Sequence, residues 1–173
     1  MYRGVGVGQY APRQEVYSID ECFLDFEGVA GDLTAVGREL RARVLQWTGL
    51  PTSVGFGPTK TLAKLANHVA KMADRKPGRY DGRWAQVCHL GVATDQQRRH
   101  IFSTTEINDV WGIGRRLTEK LNAGRIRTVQ DLIDRLEGHA AVLDKMEVVN
   151  DRTVLVLWES SALLQFAIST QLI

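Results

Sequence analysis

A two-faced helix that follows a short glycine-bearing strand constrains this chain more than any other feature. Across residues 59–72, at about 100° per residue, Leu62, Leu65, Ala66, Val69 and Met72 fall on one side. Lys60, Lys64, Asn67 and Lys71 fall on the other, in a narrow stripe. Such a helix can lie on a sheet with its apolar side and present a row of ammonium groups to solvent. The preceding stretch, Thr52–Gly57, alternates as a short strand, and Pro58 breaks it. The stripe reads either as an ordinary solvated face or as a rail for a polyanion. Lys71 comes last on it, before a basic segment from Ala73 to Gly82 that reads as a loop because of its Pro77-Gly78 pair.

Upstream, Glu15–Phe26 has the pattern of strand, bend and strand. Asp32 is placed to cap a helix whose apolar positions are Leu33, Val36, Leu40, Val44 and Trp47, and Gly49 with Pro51 stops it. Downstream, a strand is expected over Ala85–Leu90 and a helix over Thr94–Phe102. Thr128 with Asp131 three residues on is a capping pattern for a helix from Val129 to Leu136. The order is thus strand–strand–helix–strand–helix–strand, then helices only. This is an α+β unit followed by a small helical unit, with a boundary near residues 104–110. The last stretch, 154–173, is mostly apolar but interrupted by Glu159, Gln165 and Gln171. A packed or partner-seeking segment fits it better than a membrane span.

Within the strand–bend–strand lies an adjacent acidic pair, Asp20-Glu21. Neighbouring carboxylates are costly to hold together unless a cation or a basic group answers them. Hard oxygen donors suit Mg²⁺, and an acidic turn is the plain alternative. The net charge of +2 does not announce a nucleic-acid partner, but its distribution is uneven. Seven Lys/Arg face two acids between Thr59 and Arg83, and five face one between Trp111 and Gln130. Cys22 and Cys88 fit no metal or redox spacing, so reduced thiols and a cytoplasmic location are expected, and the four histidines show no ligand pattern.

The second basic block surrounds Gly112-Ile113-Gly114, where a short helix would end in a tight turn and feed another helix through Leu121. Glycines free the turn so that amides can face an anion, and a helix N-terminus follows with Arg115 and Arg116 in its first turn. Such a hairpin grips a nucleic-acid backbone without reading bases, or it is simply a tight interhelical turn.

Three stretches together resemble the Y-family translesion DNA polymerases of the UmuC type. They are Val16-Tyr17-Ser18-Ile19-Asp20-Glu21-Cys22-Phe23, the run from Val54-Gly55-Phe56-Gly57-Pro58-Thr59 to Asn67-His68, and Asp109-Val110-Trp111-Gly112-Ile113-Gly114-Arg115-Arg116-Leu117. The resemblance covers roughly residues 9–135. It implies a partial palm domain over residues 1–105, an antiparallel sheet with two packed helices. A helical thumb with a helix-hairpin-helix would cover 106–150, leaving 151–173 as an atypical apolar tail. Asp20 would bridge two Mg²⁺ ions, and Glu21 would help hold the one that activates the primer hydroxyl, in the manner of ions about 4 Å apart that clamp an in-line displacement. Lys71 would contact the incoming deoxynucleoside triphosphate. The Gly112, Ile113, Gly114, Arg115 and Arg116 hairpin, with Lys60 and Lys64, would contact primer–template DNA.

The resemblance also implies damaged-DNA binding and repair in the SOS response. An accessory subunit and a recombinase filament would be its partners. In that family another strand, bearing a first metal-binding aspartate, precedes the acidic pair. Its absence here leads to the expectation that a central palm strand is lost, that an edge opens between its neighbours, and that the isolated chain does not extend primers at a useful rate. The finger and little-finger parts are also expected to be absent. Gly124-Arg125-Ile126 places glycine one position early, so a left-handed cap at Arg125 would cost on the order of 1 kcal/mol. A DNA-binding module without chemistry and a non-functional remnant are the competing readings.

Overall fold

A computed structural model describes residues 10–18, 20–137 and the strand at 154–159. Readings that concern Ile19, residues 1–9, 138–153 and 160–173 lie outside the described residues. The chain forms a mixed α+β structure. Its sheet contains β1 (Arg13–Val16), β2 (Glu21–Asp25), β3 (Thr52–Gly57), β4 (Val87–His89) and β5 (Val154–Glu159). Its helices are α1 (Leu33–Thr48), α2 (Lys60–Arg75), α3 (Asp95–Thr104), α4 (Arg115–Ala123) and α5 (Val129–Glu137).

The spatial order of the strands is β1-β2-β5-β3-β4. This corrects two expectations. Beyond residue 105 the chain is not helical only, because β5 comes from the stretch read as an apolar tail. Nor is there an open edge between β2 and β3, because β5 lies between them and pairs antiparallel with both, from Glu21↔Trp158 to Asp25↔Val154 and from Thr52↔Glu159 to Gly57↔Val154. The physical reason is that Val154-Leu155-Val156-Leu157-Trp158 is a β-prone apolar run whose backbone groups find partners on both sides. The sheet is also not purely antiparallel, since β3 and β4 run parallel through Val54↔Val87 and Phe56↔His89. A crossover helix, α2, makes that connection, as parallel pairing requires.

The helices take opposite faces of β3. Val54 and Phe56 point toward α1, where they join Leu24, Phe26, Leu40 and Val44 in one core cluster. Asp32 caps α1 by accepting from the Thr34 and Ala35 amides at 2.9 and 3.2 Å, an arrangement worth about 1 kcal/mol. Gly55 points toward α2, and the approach there is very close. A Cβ built on Gly55 would lie 2.1 Å from the Asn67 amide nitrogen and 2.4 Å from the Ala63 carbonyl oxygen. Only glycine admits α2 at that distance.

Helix α2 runs to Arg75, three residues beyond the expected end at Met72. Ala73 is buried with Tyr80, Trp84, Cys88, Leu90 and Ile101 in a second core cluster, and this apolar contact extends the helix into the segment read as loop. The Thr105 hydroxyl, fully buried, donates to the Ile101 carbonyl at 2.8 Å and lies 2.9 Å from the Tyr80 hydroxyl. From there, Ile107 N donates to Arg127 O at 2.8 Å and Val129 N to Thr105 O at 3.0 Å, which ties the α3 end to the α5 start. Arg125 has φ 64°, so the left-handed position expected there is present, and it falls on a non-glycine residue. Both cysteines are free, and burial pushes the Cys22 thiol up to about 11 and Cys88 higher still, which keeps both protonated. Among the described residues no helix is long and apolar enough to cross a membrane.

Candidate functional site

The acidic pair stands where the β1–β2 hairpin turns into β2. The Tyr17 and Ser18 amides both donate to the Glu21 carbonyl, at 3.0 and 3.1 Å, which closes the turn. Ser18 Oγ donates to Asp20 Oδ1 at 2.6 Å and holds that carboxylate against the turn. Glu21 lies on the α2 side of the sheet, where Lys64 Nζ donates to its Oε2 at 3.0 Å. The two side chains are 11% and 17% exposed, so this ion pair is mostly out of water. The basic group that an adjacent acidic pair demands is thus, for Glu21, a residue of the lysine stripe.

That contact changes the reading of the stripe, which does not present a row of ammonium groups to solvent. Lys60 pairs with Glu15 and sits 4.9 Å from the Phe23 ring centroid. Lys64 sits 5.0 Å from the centroid of Tyr17 and 4.9 Å from that of Trp111. Asn67 is 1% exposed and donates from Nδ2 to the Ser53 carbonyl at 2.7 Å. The cause is the glycine contact: α2 presses so closely on β3, and its N-terminal half so closely on the β1–β2 hairpin, that Lys64 and Asn67 on its polar stripe are covered as well. Lys71 is half-buried near the end of α2. Burial and then Arg75 push its pKa down, while the charges of Glu21 and Asp20 act the opposite way. The charges of both carboxylates thus bear on Lys71.

The segment read as a hairpin packs against the same place. A 3-10 turn at Ile107–Asp109 leads through Trp111 to Gly112, whose φ of 91° reverses the chain, and α4 begins after Gly114. The Ile113 amide donates to the Val110 carbonyl at 3.0 Å and is taken up within the turn. Arg115 and Arg116 are exposed at the first turn of α4, and Arg115 reaches only a loose 3.8 Å contact with Glu119. Trp111 lies edge-on to Tyr17 at 5.5 Å between ring centroids and 6.1 Å from Phe23. Asp109 accepts from Arg79 at 3.1 Å and lies 3.4 Å from His68 Nε2.

Thus Glu21 and Lys64 meet directly, the charges of Asp20 and Glu21 bear on Lys71, and Trp111, next to Gly112, packs against Tyr17 and lies near Lys64. Tyr17, His68, Arg79, Asp109 and Trp111 were not expected to take part. Tyr17, His68, Asp109 and Trp111 lie inside the three family-like stretches, which could have flagged them, whereas Arg79 carries no such signal. Among the described residues no group of three or more His, Cys, Asp or Glu side chains gathers as a metal site.

The sequence that builds this hairpin and helix is similar to that of known proteins. Residues 6–68 match the impB/mucB/samB family, and the chain belongs to that family of Y-family polymerases. Among its relatives, Protein UmuC of Salmonella typhimurium (strain LT2) is 45% identical over 148 residues, which is 84% of this chain and 32% of the relative. Protein MucB of Escherichia coli is 38% identical over 129 residues, 73% of this chain and 28% of the relative. DNA polymerase IV of Picrophilus torridus is 29% identical over 126 residues, 73% of this chain and 32% of the relative. The chain thus spans about a third of the length of these curated relatives. No solved structure matches it.

Proposed function

We propose that this chain carries the metal- and triphosphate-binding part of an error-prone lesion-bypass DNA polymerase. The sheet with α1 and α2 is read as palm, and the region from the 3-10 turn through α5 as thumb with a helix-hairpin-helix. The observation that carries the reading is that the adjacent carboxylates stand at a fixed turn against the lysine-bearing helix, with Ser18 Oγ 2.6 Å from Asp20 Oδ1 and Lys64 Nζ 3.0 Å from Glu21 Oε2, while the charge of both carboxylates bears on Lys71. Acidic oxygens beside a basic group form the arrangement that a magnesium-bound triphosphate needs, because the ion takes the carboxylates and the ammonium takes the phosphate.

The residues fit Mg²⁺ on the chemistry of the donors. Both are hard oxygens on one turn, and Mg²⁺ is commonly held by one or two carboxylates with substrate phosphates and water completing its shell. Asp20 and Glu21 would hold the ion, which when bound stabilises the charge on the attacking and leaving oxygens of a displacement. Ser18 fixes the Asp20 carboxylate through its 2.6 Å hydrogen bond. Lys71, whose burial weakens its own hydration, gains more from a phosphate oxygen than an exposed lysine would. Exposed Arg115 and Arg116, in the first turn of α4, are free to meet a DNA backbone. Primer–template DNA and deoxynucleoside triphosphates follow as substrates of the whole protein, and an accessory subunit with a recombinase filament as its partners in the SOS response.

Because no third ligand of these types joins the pair among the described residues, nucleotide binding is a more informative readout than turnover. A fluorescent deoxynucleoside triphosphate titrated with Mg²⁺ should bind the chain, and Asp20→Asn or Lys71→Ala should weaken it about tenfold, a loss of about 1.4 kcal/mol. Binding that neither substitution changes refutes the reading. Primer extension with Mg²⁺, run beside it, tests whether the chain also turns over.

A further inference from the structure

We propose that Lys64 is the resident counter-ion of Glu21 and has to move aside before a divalent cation can bind the Asp20–Glu21 pair. The inference rests on the metal-binding reading above and adds a residue that controls access to that site. The Lys64 ammonium stands 3.0 Å from Glu21 Oε2, in the first contact position of the carboxylate. With exposures of 17% and 11%, this pair is poorly screened, whereas Lys60 and Glu15, four residues back on the helix and on the neighbouring strand, are 42% and 55% exposed. Two cations cannot share that oxygen at contact distance without strong repulsion.

The ammonium is also held from a second direction. The Tyr17 and Trp111 rings lie 5.0 and 4.9 Å from it, within the range of a cation–π attraction. Trp111 immediately precedes the Gly112 turn, so one wall of the lysine's seat belongs to the segment that carries Arg115 and Arg116. A displacement of that segment away from the β1–β2 hairpin removes the wall and frees Lys64 to leave Glu21. Engagement of the basic turn and opening of the carboxylate are thereby coupled through one side chain. Lys64 is a positioning residue in this scheme, since it acts on the site through Glu21.

The test uses Mn²⁺ as the probe, with free ion followed by electron paramagnetic resonance in the absence of nucleotide and DNA. Lys64→Met keeps the apolar stem beneath the rings and removes the charge. It should tighten Mn²⁺ binding about tenfold, and Lys64→Gln should do the same. Lys64→Arg should bind like the unsubstituted chain, and Lys120→Met, an exposed charge on α4, should differ from it by less than about twofold. Trp111→Ala should give an intermediate gain. Circular dichroism and a thermal melt on each variant confirm that the fold is kept. Unchanged or weaker binding in both Lys64→Met and Lys64→Gln, with Asp20→Asn still abolishing binding, overturns the counter-ion role and leaves the metal site standing. Absence of Mn²⁺ binding in every variant refutes the metal site, and the counter-ion role falls with it.

Discussion

Replacing Gly55 with alanine is the sharpest probe of how α2 is seated. The added Cβ would lie 2.1 Å from Asn67 N, 2.4 Å from Ala63 O and 2.7 Å from Asn67 Cα. These are backbone atoms of a helix, so no side-chain rotation relieves the overlap. Reaching ordinary contact requires α2 to retreat from β3 by more than about 1 Å. That retreat opens a gap under Ala63, Ala66 and Asn67, whose Nδ2 bond to Ser53 O would stretch. Overpacking of this kind costs about 1–3 kcal/mol, and loss of a buried hydrogen bond adds about 1 kcal/mol or more. We expect Gly55→Ala to lose about 3–4 kcal/mol in urea unfolding, equivalent to roughly 6–16 °C in melting temperature for a chain of this size. Gly82, with open space around it, is the control, and Gly82→Ala should stay within about 0.5 kcal/mol. A Gly55→Ala chain as stable as the Gly82→Ala control would refute the seating of α2 on β3. Because Lys71 rides on α2, the same substitution should also weaken nucleotide binding.

Other expectations follow from single residues. Arg125→Gly relieves the left-handed conformation at φ 64° and should raise stability by up to about 1 kcal/mol in the same urea experiment. Asn67→Ala removes a buried amide that satisfies the Ser53 carbonyl and should cost about 2 kcal/mol, read by the same melt. Burial pushes the pKa values of both His68 and His89 down from 6.5. The unfolded chain therefore takes up protons before the folded one as pH falls. Stability should be full above about pH 6.5 and should decline on acidification through the window below it. Each histidine sets a slope of at most about 1.4 kcal/mol per pH unit, and His68→Gln should flatten the profile.

Much of the fold was legible because its signals are local. Asp32, Thr59, Thr94 and Thr128 open α1, α2, α3 and α5, each with a capping side chain that accepts from free amides, and Gly49 ends α1 in a left-handed turn. The acidic pair was legible as a feature that needs a basic answer, which for Glu21 is Lys64. Three features were not legible. The extension of α2 to Arg75 depends on Ala73 meeting Tyr80 and Trp84 in space. The covering of Lys64 and Asn67 depends on how close Gly55 lets the helix come, which no helical wheel contains. And β5 is a short continuous apolar run, which periodicity cannot distinguish from a buried helical turn. Its partners, Glu21–Asp25 and Thr52–Gly57, are roughly a hundred residues or more away along the chain.

The position of β5 has a consequence for how the molecule is made. Its hairpin, helices and the strand–helix–strand unit can each form from neighbouring residues, but β2 and β3 remain unjoined until a segment from far down the chain arrives between them. Closing so long a loop is entropically costly and places assembly of the sheet among slow, non-local folding events. Until it closes, two bare strand margins face each other across a vacant channel and can recruit strands from other copies. Yield on refolding should accordingly fall as protein concentration rises, and the early species should be the ones that clump.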